Sequence, residues 1–355
     1  MKWTTLVALA CMACLTACHR NPPLTLQEQK IVTELTANLT PRCVGRYVID
    51  MPGDALAFSF ATLNGVKVEA KAMTQKGYET ALDARSQELK TAKHYLGYPF
   101  LYADDKIEGI AGSRYFISLE STVVSTDAER VIEAYKWSRG YQIELKISVS
   151  DAKDSIAFKD DPVRNEPYMN DVPEKLRIVI SMLERIRGRT EDEIPTEPGV
   201  CFVGGFLPGK ATAEENISTQ FVLHDHHDVS FGLDTDANIQ ADTTLLQRSS
   251  SVNAALKDND GRTIRKGHVD LLGMQAEEWL LAGLTPLNVR GNHMTLEANS
   301  RTGSAKTPLV TLDMDTGSNS YLQRDSIEKA SLTEGEAVAL WDAVSRTLRP
   351  RPNSF

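Results

Sequence analysis

The chain repeats itself once, and this constrains its fold more than any single segment does. Cys43-Val44-Gly45-Arg46-Tyr47-Val48-Ile49-Asp50-Met51-Pro52 reads as a short strand ended by proline. A similar opening returns at Cys201-Phe202-Val203-Gly204-Gly205-Phe206-Leu207-Pro208. Gly112 ahead of the strand-like Arg114 to Leu119 is matched by Gly273 ahead of Glu278 to Leu281. The helix-start signal Asp171-x-x-Glu174 is matched by Thr333-x-x-Glu336. Three markers return in one order, each about 160 residues on, as expected of two copies of one structural unit. At 355 residues the chain has room for both.

Within a copy, strands are followed by a helix, more strands and a closing helix. Tyr141 to Val149 alternates apolar and polar side chains without fault, which predicts a half-buried strand. Ser138-Arg139-Gly140 joins it to Val131 to Trp137 as a hairpin. A helix is expected from about Lys76 to His94, carrying Tyr78, Leu82 and Leu89, with its counterpart around Thr243 to Leu256. Hairpins with segregated helices indicate an α+β fold: two similar modules, each an antiparallel sheet with packed helices. The modules are expected at 25–190 and 200–355, joined by a linker at 191–199 that carries Glu191-Asp192-Glu193, Pro195 and Pro198. Thr25-x-x-Glu28 is a capping box that opens a helix through about Leu39.

Met1 and Lys2 precede an apolar run from Trp3 to Leu15, the pattern of a secretory signal over 1–17. Leu15-Thr16-Ala17-Cys18 looks like the lipobox of bacterial lipoproteins, which implies that Cys18 is lipidated and becomes the mature N-terminus. Residue 19 is His, not Asp, which in Gram-negative lipoproteins implies the outer membrane. Residues 18–24, with Pro22-Pro23, read as a tether. After Cys18 only Cys43 and Cys201 remain, and in an oxidising compartment they either pair as a disulfide or sit as two separate buried thiols.

A formal charge of −9 with no basic run argues against nucleic acid as a partner, because that binding is driven by phosphate neutralisation. The catalytic and cofactor motifs that come near to matching all fail. Gly204 to Ala211 approaches a phosphate-binding loop, but Ala211 lacks the hydroxyl that holds magnesium and Pro208 lacks an N–H. Asp315-Thr316-Gly317-Ser318 resembles half of an aspartic protease site, and the chain holds no second copy. In extended conformation His224, His226 and Asp228 share a face, as in a two-His-one-carboxylate metal set. Their place between Phe221-Val222-Leu223 and Val229-Ser230-Phe231 reads instead as a polar hairpin turn. The sequence encodes no legible enzyme and no cofactor site.

The lipobox, the helix after it, Arg42 to Pro52, and Pro198-Gly199-Val200-Cys201-Phe202-Val203-Gly204-Gly205-Phe206 together resemble the Tli4 family of type VI secretion immunity proteins. The resemblance covers essentially the whole mature chain. It implies a periplasmic antitoxin that binds a Tle4-like phospholipase effector, and with the lipobox and His19 the expected location is the periplasm, lipid-anchored to the outer membrane. In such a protein two domains grip the effector and obstruct its lid and active-site entrance. No catalytic residues carry over. The loop candidates for effector contact are Phe158, Asp160, Asp161 and Tyr168 between Asp151 and Asp171, and Asp234 and Asp236, with aromatics as anchors and acids as a rim. The alternative is an outer-membrane lipoprotein that binds lipid or scaffolds envelope assembly. An unrecognised hydrolase is a third reading.

Overall fold

The structure is a computed structural model that describes residues 23–248, 250, 253, 254, 256, 260–319, 322, 323 and 326–355. The leader and Cys18 lie outside the described residues, as do Ser249, Ser251, Val252 and Ala255 of the expected helix around 243–256, of which 250, 253, 254 and 256 are helical. Within that segment Leu246–Arg248 forms a short 3-10 turn.

Helix α1 (Leu26–Thr36) opens on its capping box, with the Glu28 N–H donating to Thr25 Oγ1 and the Thr25 N–H donating to Glu28 Oε2 at 2.8 Å. It ends three residues before Leu39, which instead begins β1 (Leu39–Val44). The segment read as one strand from Cys43 is a hairpin. The chain reverses at Gly45-Arg46 and returns as β2 (Tyr47–Pro52), because Gly45 adopts φ 57° and lets the turn close. The second copy does the same with β10 (Gly199–Phe202) and β11 (Gly205–Pro208), turning at Gly204 with φ 75°.

The first copy continues through β3 (Leu56–Leu63), β4 (Val66–Ala72), α2 (Gln75–Thr91), β5 (Leu101–Lys106), β6 (Arg114–Leu119), β7 (Glu129–Ser138), β8 (Tyr141–Ser150), α3 (Val172–Arg185) and the short β9 (Arg187–Gly188). The second runs through β12 (Glu215–Val222), β13 (Ser230–Asp236), β14 (Arg262–Leu271), β15 (Met274–Leu284), β16 (Arg290–Ala298), β17 (Leu309–Thr316), α4 (Glu334–Ser345) and β18 (Arg349–Pro350). Thr333 and Glu336 form the expected capping box on α4. Asp171 does not cap α3 with its side chain; its carboxylate accepts from the Ser150 N–H at 2.8 Å instead.

The two copies share one sheet rather than holding one each. Among the described residues it has twelve strands in the order β14-β15-β16-β17-β13-β12-β3-β4-β8-β7-β6-β5, and every pairing is antiparallel. From the centre outward both halves follow the same succession: β3-β4-β8-β7-β6-β5 on one side, β12-β13-β17-β16-β15-β14 on the other. The halves meet through their equivalent first strands, with Phe60 opposite Ser218 and Ser59 opposite Thr219. The antiparallel junction makes them related by an approximate two-fold axis.

The opening hairpins are exchanged between halves. The β1-β2 hairpin receives β18 from the second half, and β10-β11 receives β9 from the first. The tip glycines follow the same rule: a Cβ on Gly45 would meet Thr235 Oγ1 on β13, and one on Gly204 would meet Ala70 on β4 and Tyr141 on β8. Where the hairpins cross, the Gly45 and Cys201 N–H groups each donate to the other's carbonyl at 2.8 Å. Cys43 and Cys201 are joined by a disulfide at that crossing, their Cα atoms 5.7 Å apart.

Two buried arginines bind the exchanged segments by donating to backbone carbonyls. Arg189 reaches those of Thr190, Glu193, Phe202 and Gly205, and Arg351 those of Pro195, Glu197 and Gly199. The stretch between the halves is therefore held along its length. The main core fills the inner face, where Ile132, Leu145, Phe231, Leu312, Val179, Leu183, Trp341 and Val344 pack with the hairpins. Pairs of apolar residues at alternate strand positions account for this side.

Candidate partner-binding face

Strand alternation defines what the outer face carries. In the first half α2 covers part of it, packing Tyr78 and Leu89 on Phe116 and Tyr135, with Arg85 clamped to Glu133 at 2.8 and 2.9 Å. In the second half Leu246 donates its N–H to Glu277 of β15, so the turn at 246–248 lies on the same side. Between these flanks the outer side chains of the middle strands range from exposed on β3 to half-buried on β12, β13 and β17.

Strand β3 sends Leu56, Phe58 and Phe60 outward, with Phe60 71% exposed, and directs Ala57, Ser59 and Ala61 inward. Large residues face water here because the crossing hairpins occupy the space beneath: Ser59 Oγ accepts from the Val203 N–H at the second hairpin's turn, at 3.1 Å. The strands beside it in the second half add charge of one sign. Strands β12, β13 and β17 contain no Lys or Arg, and their outward carboxylates are Asp234, Asp236, Asp313 and Asp315. Asp234 and Asp313 are diagonal neighbours on adjacent strands, about 7 Å apart by sheet geometry.

These acids are poorly compensated. Burial raises the Asp313 carboxyl to about 6, against an opposing hydrogen bond from Thr295. Burial also raises Asp234, opposed by Ser218, and Asp234 Oδ1 is a buried acceptor with no hydrogen-bond partner among the described residues. Asp315 lies 2.8 Å from His293 Nδ1, and its attraction outweighs burial of the ring and lifts the histidine above its ordinary value. His293 Nε2 lies 2.9 Å from Thr295 Oγ1, which donates to Asp313 at 2.7 Å. This Asp–His–Thr row ends on a carboxylate that holds the hydroxyl proton away from the imidazole, the reverse of what an activated nucleophile needs. An apolar cleft of about 620 Å³ adjoins His293 and Asp315, walled by Leu281, Leu284 and Pro286.

The structure distributes the residues singled out in the sequence. Asp234 lies on this face, and Asp236 sits at its margin, accepting from Asn216 and from the Asn238 N–H. Phe158, Asp160 and Asp161 belong to the loop after β8, four strand spacings or about 19 Å from β13. That loop is pinned by Asp127, which accepts from the Ile156 and Ala157 N–H groups at 2.7 and 3.0 Å. Phe158 is half-buried, Asp160 is exposed, Asp161 caps the Val163 N–H, and Tyr168 lies in the short turn Pro167–Met169. The two groups do not form one site.

His224, His226 and Asp228 also separate. His224 pairs with Asp225, His226 with Ser331, and Asp228 is buried, accepting from the Gly317 and Ser331 N–H groups. Exposed Asp54, His224 and Asp225 offer ligand atoms within 4.8 Å of one another. Gly204 to Ala211 is hairpin and its exit, and Asp315-Thr316-Gly317 ends β17 with Thr316 donating to buried Asn292.

Residues 40–189 match the N-terminal domain, and residues 193–353 the C-terminal domain, of Tle cognate immunity protein 4. The chain belongs to the Tli4 family. Its fold is similar to a chain of the crystal structure of a Tle4–Tli4 complex, with TM-score 0.69 and 21% identity over 90% of this chain and 99% of that one. It is likewise similar to the apo immunity protein TplEi of the type VI system of Pseudomonas aeruginosa, with TM-score 0.68 and 21% identity over 89% and 98% of the two chains. The same protein complexed with an "L" peptide gives TM-score 0.64 at 21% identity. No curated protein matches the chain.

In this Tli4-family chain the two domains are not independent, since each is completed by the other's hairpin. Arg189 and Arg351, which fasten the exchange, carry no catalytic or binding motif in the sequence. Their signal there is Arg187-x-Arg189 and Arg349-x-Arg351, a fourth pair of matching positions after the closing helices.

Proposed function

We propose that this chain is a non-enzymatic immunity protein that binds a Tle4-like phospholipase effector of a type VI secretion system and holds it inactive by obstructing its lid and active-site entrance. The observation that carries this reading is the match of both Tli4 domains across nearly all of the described chain. Blocking an enzyme requires a stiff surface, and a single twelve-stranded sheet interlocked by exchanged hairpins provides one.

The protein acts in the periplasm, anchored to the outer membrane by lipid on Cys18. The lipobox Leu15 to Cys18 with His19 supports this, and so does a cysteine pair of the kind that persists in oxidising compartments. Among the described residues no helix is long and apolar enough to cross a membrane.

The test is phospholipid hydrolysis by the Tle4-like phospholipase of the same organism, titrated with the full protein. Inhibition that completes near one equivalent is expected. Full hydrolysis at a large excess would overturn the reading and bring forward the lipid-binding or scaffolding lipoprotein.

A further inference from the structure

We propose that the outer face of the central strands is the docking surface, and that its occupant is a basic segment of the phospholipase that seats an arginine or lysine between Asp234 and Asp313 and packs apolar side chains on Phe60 and its strand neighbours. This rests on the immunity reading and adds to it the face used and the chemistry of what it receives.

Three independent observations converge on that face. The first is an inversion of burial: β3 exposes Leu56, Phe58 and Phe60, whereas its small residues point inward. Exposed large apolar residues grouped on one strand mark an interaction surface more often than scattered ones do. The second is charge of one sign, since no Lys or Arg lies on β12, β13 or β17 to neutralise their acids. The third is an unmet acceptor: among the described residues Asp234 Oδ1 is buried with no hydrogen-bond partner, although Asp236, two residues on, accepts from Asn216 and from the Asn238 N–H. Such an atom costs free energy in the isolated protein, and a cationic donor from a partner would satisfy it. Electrostatic complementarity selects a basic occupant over an acidic one and speeds its arrival at this acidic chain.

The experiment measures binding of the Tle4-like phospholipase of the same organism to the full chain and its variants. Phe60→Ser is expected to weaken binding by roughly 10-fold, as for a central aromatic anchor. Asp234→Asn with Asp313→Asn is expected to weaken it by roughly 10- to 100-fold and to flatten its salt dependence. Leu26→Ser alters an apolar residue more exposed than Phe60, on α1, which packs on α4 across the inner side, and should leave binding unchanged. A benzophenone side chain at position 60 should capture the phospholipase on irradiation, and one at position 26 should not. If the unaltered chain binds while all these variants bind within twofold and capture occurs only at position 26, the docking face is wrong and the immunity reading stands. If the unaltered chain does not bind, both fall together.

Discussion

Asp313 shows how a single residue can be at odds with the stability of its own fold. Burial beneath its neighbours raises its carboxyl from the ordinary value of 3.8 to about 6. A carboxyl raised on folding favours the folded state only while protonated. Its contribution is full below pH 4 and is lost as the pH climbs through about 6. Asp313→Asn should therefore stabilise the protein by about 1–2 kcal/mol at pH 7 and by almost nothing at pH 4. Thermal melts at the two pH values decide the matter, and destabilisation at pH 7 would show that the carboxylate serves the fold. Stabilisation combined with weaker effector binding would mark a residue retained for its partner. Nothing in the spacing of Asp313 or Asp234 announced this, since an acid alternating with apolar residues on a strand reads as solvated surface.

At the scale of elements, the exchanged hairpins depend on two turns that need left-handed backbone. Gly45 has φ 57°, and a Cβ there would lie 2.6 Å from Thr235 Oγ1. Gly45→Ala should cost about 2 kcal/mol, part from the backbone and part from the contact. Adding Thr235→Ala should recover the contact part. A denaturation cycle of the two single variants and the double tests this, and strict additivity would mean that the hairpin tip does not bear on β13. The glycines are visible in the sequence, but the apolar run on each side hides the reversal and makes them read as part of a strand. Strand β3 misleads in the opposite direction. Its alternation of large and small residues would place Phe58 and Phe60 in a core, yet that side faces water because the hairpins fill the other.

At the scale of the whole molecule, the exchange makes one cooperative body of what the sequence divides in two. Residues 25–190 expressed alone would lack the β18 partner of β2 and the β11 partner of β9. Neither that fragment nor 200–355 should show a cooperative melt by circular dichroism, whereas the full chain should unfold in one transition. Two separate transitions would show that each half completes itself. Reduction of Cys43–Cys201, which closes a loop across a separation of 158 residues, should lower stability by about 4 kcal/mol.

The sequence alone determined the repeat, the α+β class, the capping boxes of α1 and α4, the β7-β8 hairpin and the family resemblance. Each of these rests on local patterns or on order along the chain, which survive in one dimension. Only the tertiary structure decided that the two sheets fuse through β3 and β12, that the hairpins change places, and that Arg189 and Arg351 lie buried against carbonyls. It also decided which acids share a face with Phe60. Periodicity reveals that a strand has two faces, but which one meets water depends on what packs beneath it, and here that is a segment from the other half of the chain.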